Sequence, residues 1–383
     1  MNENWEYVPF DQVFEWGAKS SIGSREGKSS GKYKLFIASA TEIKFYDSYL
    51  ESGEFLVFGT GGNPCIHYVN ENFAYTNHTE VAKKKLNVNT KFYYYFFQKD
   101  RYAALQGTFV GGGIKNSSKK KIGALLVPVP PLEEQERIVA KIEELLSQLD
   151  SATKTLDKLK QQLLVFRHAI FVKAFCNVRQ EEYYPFKVAF DDDPQNGLYK
   201  PKSAYGEGTK ILRIDGFYDG KILSDYKFKR LKLTQNEIER YCLKRDDIVI
   251  NRVNSMPYLG KCALVENLDE SIVFESNMMR IKVNKKILNP KYATYYLASH
   301  FGRMELIKNA KQAVNQASIN QEDVGNAMVP MPKSLADQTE TINEIDFYMS
   351  IYDNMFATIF DVQKHIDIMR QSILKKAFVG QLL

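Results

Sequence analysis

The chain has 383 residues, enough for two or three domains, and 44% of them are apolar, enough to build real cores. Its 23 Tyr and 24 Phe exclude a disordered chain. The formal net charge of +6 is a moderate basic excess, which permits a polyanionic partner without demanding one. Cys65, Cys176, Cys242 and Cys262 are scattered, with no CxxC pair and no histidine cluster. They read as reduced, buried thiols of a cytoplasmic protein, with no zinc ligand set. The first residues carry no basic stretch followed by an apolar core, and no apolar run is long enough to span a membrane.

In chain order, Tyr7 and Pro9-Phe10 open a first globular segment, residues 1–130. Gly23 to Lys32 is rich in Gly, Ser and Lys and reads as a mobile surface loop. Phe55-Leu56-Val57-Phe58 reads as a strand, and Lys91 to Gln98 as a helix of aromatic character. Val127-Pro128-Val129-Pro130-Pro131 then suits an extended end that must stop before a helix begins. A long helix follows, within residues 131–180.

Tyr183 and Pro185-Phe186 repeat the opening, and a second globular segment covers residues 181–332. Asp191-Asp192-Asp193 ahead of Pro194 reads as a solvated loop. Strands are expected at Asp247–Ile250, Ala263–Val265 and Ser271–Phe274, and a helix at Lys291–His300. Asn89, Lys91 and Tyr95 return as Asn289, Lys291 and Tyr295 at an offset of 200. Val329-Pro330-Met331-Pro332 precedes the last long helix, residues 333–383, and Ser334 with Asp337 resembles a capping box.

The two long helices are copies of one another at an offset of 203. Gln135, Ile142, Asp150 and Arg167 recur as Gln338, Ile345, Asp353 and Arg370, and Lys173-Ala174-Phe175 as Lys376-Ala377-Phe378. Two copies are too few for a solenoid and indicate a duplicated, pseudo-twofold protein. Ile142, Leu145, Leu149, Ala152, Leu156, Leu159, Leu163, Phe166 and Ile170 form a heptad seam in the first copy. Ile345, Tyr348, Tyr352, Met355, Ile359, Val362, Ile366, Met369 and Ile373 fill the same slots in the second. Such a seam needs a facing helix. The two copies pair with each other, or else each packs on a separate domain core. Roughly 40 helical residues make a rod of about 60 Å. The expected fold is mixed α/β (α+β): two globular domains separated by two long antiparallel coiled-coil helices.

No catalytic constellation is visible. Val57-Phe58-Gly59-Thr60-Gly61 superficially resembles a glycine turn for S-adenosylmethionine, but β-like sequence follows it where a helix is needed. Asn63-Pro64-Cys65-Ile66 and Asn289-Pro290-Lys291-Tyr292 lack the second proline of an adenine-methylation loop. Glu42-Ile43-Lys44 is a chance-level nuclease triplet, and the five histidines show no ligand spacing. Neither a metal nor a cofactor is expected.

Pro128-Val129-Pro130-Pro131-Leu132-Glu133-Glu134-Gln135 leading into Ile138-Val139, with its degenerate copy Leu335-Ala336-Asp337-Gln338, resembles the helix-entry signature of type I restriction-modification specificity subunits. Gln316-Ala317-Ser318-Ile319-Asn320, and the stretch from Asp247 to Leu264 with Asn251-Arg252 and Leu259-Gly260-Lys261, are also similar to that family. The duplicated order of these stretches carries the resemblance over nearly the whole chain. It implies that each globular segment is a target recognition domain reading one half of a bipartite site in double-stranded DNA. It further implies that the helices dock two methyltransferase subunits, through which endonuclease subunits join. A rod of about 60 Å would correspond to roughly 17 base pairs.

Loop residues able to meet phosphates or base edges are then the DNA candidates. In the first domain they are Arg25, Lys28, Lys32, Thr60, Asn77, Lys115 and Asn116, with Lys119-Lys120-Lys121 either touching phosphate or merely solvated. In the second they are Lys200, Lys202, Arg213, Asn251, Arg252, Asn254 and Lys261. Arg252 is favoured because a loop at a strand end can project it; the alternative is a salt bridge to Asp246 or Asp247. The repeated polar helix residues Gln135, Arg167, Lys173, Gln338, Arg370 and Lys376 are the candidate subunit-docking positions. The competing readings are a standalone or fused DNA adenine methyltransferase and a coiled-coil scaffold that binds no DNA.

Overall fold

The computed structural model describes residues 5–176, 178–314 and 316–382. They form two compact units, Met1–Lys158 with Ile359–Leu383, and Leu159–Thr358. Each unit therefore holds one globular segment and half of each long helix.

In the first unit, β1 (Tyr7–Pro9) leads through a turn of helix, α1 (Phe10–Val13), into β2 (Phe14–Trp16), followed by β3 (Tyr33–Phe36) and β4 (Ile43–Tyr46). The long strands β5 (Glu51–Gly59) and β6 (Cys65–Tyr75) form an antiparallel hairpin, and β7 (Thr79–Lys84) lies on the other side of β5. The six-stranded sheet runs β2-β7-β5-β6-β3-β4. Phe55 and Val57 enter one apolar cluster while Leu56 and Phe58 enter another. Burial on both faces explains why this strand is a continuous apolar run and does not alternate. Helix α2 (Thr90–Gln98), the short α3 (Ala103–Gln106) and α4 (Lys119–Gly123) follow, and β8 (Leu126–Pro128) returns to pair with β1, Tyr7 opposite Pro128. The first long helix, α5 (Leu132–Phe175), starts directly after this closure.

The second unit repeats the plan. Strand β9 (Tyr183–Pro185) opens it, and β10 (Phe190–Asn196) contains Asp191–Asp193, which were expected in a loop. These carboxylates sit on an irregular strand paired with a later one, and Asp192 lies 3.0 Å from Lys282. Register shifts on both sides of Asp192 relieve a ladder that Pro194 cannot donate to. Next come β11 (Tyr205–Leu212), β12 (Phe217–Tyr218), β13 (Gly220–Ile222), β14 (Lys229–Leu231) and α6 (Gln235–Tyr241). The central strand β15 (Ile248–Asn251) is followed by β16 (Val253–Asn254), β17 (Cys262–Leu264), β18 (Ile272–Phe274) and β19 (Met278–Val283). Helices α7 (Pro290–Ala298) and α8 (His300–Ile307), the short strands β20 (Lys311–Gln312) and β21 (Ala317–Ser318), α9 (Gln321–Asn326) and β22 (Met328–Pro330) complete the segment. Strand β22 pairs with β9, Pro330 opposite Tyr183, as β8 pairs with β1. The second long helix, α10 (Leu335–Ala377), then begins, its first free N–H groups donated to the Ser334 hydroxyl.

Within each unit the two helix halves run antiparallel. In the first, Arg370 meets Asp150 at 2.6 Å while Leu374 and Phe378 share a cluster with Ile138 and Ile142. In the second, Lys173 meets Glu344, and Ile170, Phe171 and Phe175 share a cluster with Ile342, Ile345 and Met349. The helices thus pair with each other and also pack on the globular cores, so both sequence readings of the seam hold in part. Among the seam residues those buried are Ile142, Leu149, Leu156, Leu163 and Ile170, with Ile345, Ile359 and Ile366. The alternate slots Ala152, Leu159, Met355, Val362 and Met369 are exposed, a correction to the continuous seam.

Cys65 and Cys262 are buried as expected, whereas Cys242 is half-buried and Cys176, just past the end of α5, is exposed. Among the described residues no helix is long and apolar enough to cross a membrane, and no cluster of His, Cys, Asp or Glu is placed to hold a metal.

Candidate functional site

In the first unit the turn between β5 and β6 is stitched to the loop ahead of α4. Val110 and Asn116 exchange both backbone hydrogen bonds, at 3.0 and 2.9 Å, forming the base of a small hairpin. Gly61 bridges to the same Asn116, the Gly62 N–H donates to Lys115 O, and the Ser117 N–H donates to Thr60 O. On the other side, the Asn77 N–H donates to Ile22 O and draws in the turn that carries Arg25. The four loops that carry Arg25, Thr60, Asn77, Lys115 and Asn116 are therefore joined, and Asn116 with the neighbouring Ser24, Gly61, Thr76, His78 and Ile114 lines a cavity of about 280 Å³. Its lining includes Gly61, His78, Asn116 and Thr76, whose buried hydroxyl has no hydrogen-bond partner.

The members of this group differ in what they have free. Arg25, Asn77 and Lys115 are exposed, and so are Lys119, Lys120 and Lys121 in the first turn of α4. Thr60 is buried, and its backbone N–H and hydroxyl both donate to His78 O at 2.9 Å, so its part is to hold the turn. Asn116 spends its amide N–H on Ile114 O. Lys28 and Lys32 lie outside the group: Lys28 is bridged to Phe45 and its Nζ is 2.6 Å from Asp47, while Lys32 leans over the Tyr33 ring. The Gly23–Lys32 segment is exposed, and its Lys28–Phe45 bridge and a short 3₁₀ turn at Ser24–Glu26 tie it down.

The second unit builds the same arm from a longer connection. Strand β16 pairs with β21, and β21 with β20, so the turn after β15 is again joined to a hairpin ahead of a short helix. The Ile319 N–H donates to Arg252 O, and the N–H of Arg252 donates to Asn277 O. Here most of the sequence candidates are already committed. Arg252 is not projected: it is half-buried, with Nη1 donating to Ser276 O at 3.1 Å and Nε enclosed without a partner. Burial holds its guanidinium below the usual range. Neither expected carboxylate reaches it, because Asp246 pairs with Lys285 and Asp247 faces Arg280. Asn251 is buried with both amide atoms unpartnered, and Asn254 accepts the Ser255 N–H.

Arg213 is bound to the buried Glu275, which also accepts the Ile214 N–H, and Lys200 is 2.6 Å from Glu237. Lys261 stands 3.6 Å from the Tyr218 ring centroid and 4.4 Å from that of Tyr258, and burial lowers its pKa. Neighbouring Asp219 pairs with Arg167 of α5, so Lys261 faces the helix side of its domain. Lys202 alone of the seven is exposed with a free ammonium among the described residues. Sequence reasoning missed the hairpin ahead of α9, where Lys311, Gln312 and Gln316 are exposed.

Five of the six docking candidates already have partners within the chain. Gln135 is buried, accepting the Asn89 N–H at 2.9 Å and donating to Pro130 O at 2.7 Å. Gln338 likewise accepts the Asn289 N–H at 2.8 Å and donates to Ile287 O and Pro332 O. Arg167, Lys173 and Arg370 are paired with Asp219, Glu344 and Asp150. The glutamines recur as the same internal clamp in each unit, the two arginines have partners that are not equivalent, and Lys376 alone of the six is exposed without such a partner. Apolar residues are also exposed at matching positions: Leu159 with Val362, and Val165 (68% exposed) with Ile368 (53%).

The Val57–Gly61 stretch is the end of β5 and the start of a hairpin turn, so no helix opens at its glycines. A Cβ on Gly59 would lie 2.4 Å from Cys65 Sγ, so this glycine serves close strand packing.

A family model described as the type I restriction modification DNA specificity domain matches residues 2–163 and 172–354. The chain is 26% identical over 286 residues to the type I restriction enzyme EcoKI specificity subunit of Escherichia coli K12, covering 71% of this chain and 61% of that subunit. It is 30% identical over 188 residues to a putative type I restriction enzyme MjaX specificity subunit of Methanocaldococcus jannaschii, covering 48% and 42%. With the EcoDI specificity subunit of Escherichia coli the match is 21% over 410 residues, covering 99% and 89%. In fold it is similar to a chain of a type I R-M system solved for its complex assembly and conformational transition, with a TM-score of 0.77, 17% identity and coverage of 100% and 99%. The crystal structure of the HsdS subunit from Thermoanaerobacter tengcongensis gives a TM-score of 0.54, with 17% identity and coverage of 99% and 97%.

Proposed function

The chain belongs to the family of type I restriction modification DNA specificity domains, and from that premise we propose that it is the sequence-reading subunit of a type I restriction-modification complex. Residues 1–130 and 181–332 act as two target recognition domains, each reading one half of a bipartite site in double-stranded DNA. The helical segments 131–180 and 333–383 separate them, set the unread spacer and dock two methyltransferase subunits, through which endonuclease subunits join. The chain itself performs no methyl transfer or cleavage, uses no cofactor, and works in the cytoplasm.

One observation carries this reading: both units present the same stitched hairpin arm on one segment of a globular domain that is clamped to the long helices by the same residues. Support for two equal docking sites comes from the half-covered heptad seam. An antiparallel pair that covers one slot per heptad leaves the alternate apolar slots for incoming helices. Leu159 and Val362, alternate slots exposed at matching positions, offer one such contact in each unit. The docking candidates of the sequence are replaced by this apolar line, with Lys376 retained.

Copurification of the full chain with its methyltransferase tests the reading. Native mass spectrometry should find two methyltransferase chains per copy, and sequencing of methylated DNA should find a split motif that disappears when the chain is deleted. A complex that is solely one-to-one, or methylation that persists at the same motif without the chain, would count against it.

A further inference from the structure

Each arm ends in an apolar residue held out in water. In the first unit the Val110–Asn116 ladder anchors a five-residue tip, Gly111 to Lys115, at which Ile114 is 78% exposed. In the second, Val314, which follows the β20 strand that pairs with β21, is 99% exposed. β-Branched apolar residues are poor turn formers; Val314 is almost wholly in water, and Ile114, although it borders the cavity beside Gly61 and Asn116, still leaves most of its surface exposed. Gly112 and Gly113 have no neighbour within 4 Å of a Cβ position, so the first tip is slim as well as apolar. Exposed cations lie near both tips in the chain: Lys115 and Lys119 to Lys121 beside the first, and Lys311 beside the second. A slim apolar point between ammonium groups matches a nucleic-acid duplex, where cations take the phosphates and an apolar side chain enters a base step.

We infer that Ile114 and Val314 are wedges that partly unstack one base step in each half-site, an inference that rests on the DNA-reading function proposed above. Unstacking costs least at pyrimidine–purine steps, so each wedge adds a preference for a deformable TA or CA/TG step to what the polar loop residues read. The recognised sequence then depends on side chains that make no hydrogen bond to a base.

The test uses the full chain with its methyltransferase subunits and a duplex selected by that complex from a randomised pool. A fluorescent 2-aminopurine is moved base by base across the selected duplex. The intact complex should brighten it at one step in each half-site, apart from any base extruded for methylation. Ile114→Ala should abolish the signal in one half-site only and Val314→Ala in the other only, each weakening binding by roughly tenfold. Ile114→Leu should restore the signal, and selection with the alanine variants should relax the step preference. The inference is overturned if both alanine variants keep both signals, or if every base except the extruded one stays stacked while the complex still selects a split motif. Loss of methyltransferase copurification in the alanine variants would also overturn it, by making the tips protein contacts. A complex that selects no sequence at all would remove the DNA-reading function itself, and the wedges with it.

Discussion

The side-chain amide of Gln135 accepts the backbone N–H of Asn89 at 2.9 Å, and Gln338 accepts that of Asn289 at 2.8 Å. Each glutamine thereby fastens the start of an aromatic helix, α2 or α7, to the first turn of a long helix. Asn89 and Asn289 in turn cap those aromatic helices, accepting the N–H of Lys91 and of Lys291. A second tie repeats alongside: Lys91 is 2.6 Å from Glu143, and Lys291 is 2.7 Å from Asp346.

Removing either glutamine leaves a buried backbone N–H and at least one carbonyl without a partner. Gln135→Ala and Gln338→Ala should each cost about 1–3 kcal/mol in urea unfolding of the full chain. The exposed neighbours Glu136→Ala and Glu340→Ala should stay within about 0.5 kcal/mol. Equal effects from the buried and exposed substitutions would return the glutamines to a surface role.

Asp247 supplies a pH test. Burial raises its carboxyl pKa, outweighing the Lys244 N–H it accepts and the Arg280 guanidinium 3.8 Å away. A folded pKa above the unfolded value of about 3.9 means that the stability this group contributes is present at low pH and is lost as pH rises through the folded value. Asp247→Asn keeps the acceptor for Lys244 and cannot ionise, so it should gain stability relative to the natural chain from about pH 4 upward, then level off. A difference that is flat with pH, or that falls as pH rises, would refute the assignment.

Cations that meet phosphate reveal themselves in salt dependence. Lys115→Ala and Lys120→Ala should each reduce the slope of log affinity against log salt by about one, measured with the full chain and its methyltransferase subunits. Lys28→Ala and Lys261→Ala should leave it alone, because those ammonium groups are held by Asp47 and by the rings of Tyr218 and Tyr258. The same slope change in all four would mean that the paired lysines reach DNA as well.

Both long helices are continuous through Ala152 and Met355. Inserting one heptad after each keeps the buried line in register and lengthens the helices by about 10.5 Å, roughly three base pairs. The half-site sequences should stay as they are while the spacer between them grows, as read by methylation mapping. The added rotation of about 100° between half-sites will lower activity. New half-site bases with an unchanged spacer would place sequence reading in the helices and sink the proposal.

Local pattern was enough to expose the duplication, the two long helices, the central strands at Phe55–Phe58 and Ile248–Ile250, and the aromatic helices that begin after Asn89 and Asn289. Periodicity, caps and proline stops act over a few residues, so they survive in the linear sequence. What Gln135, Arg252, Lys261 and Asp191 to Asp193 do was decided by tertiary structure alone. Their partners are Asn89, the enclosed backbone at Ser276, the rings of Tyr218 and Tyr258, and a strand that carries Lys282. A polar side chain reads as a surface contact until a distant segment closes over it. Once it is enclosed, the cost of leaving a buried polar group unpaired commits it to the fold. The hairpin tips show the converse: an isolated Ile114 or Val314 reads as core by composition, and only the backbone ladders beneath them hold them out in water.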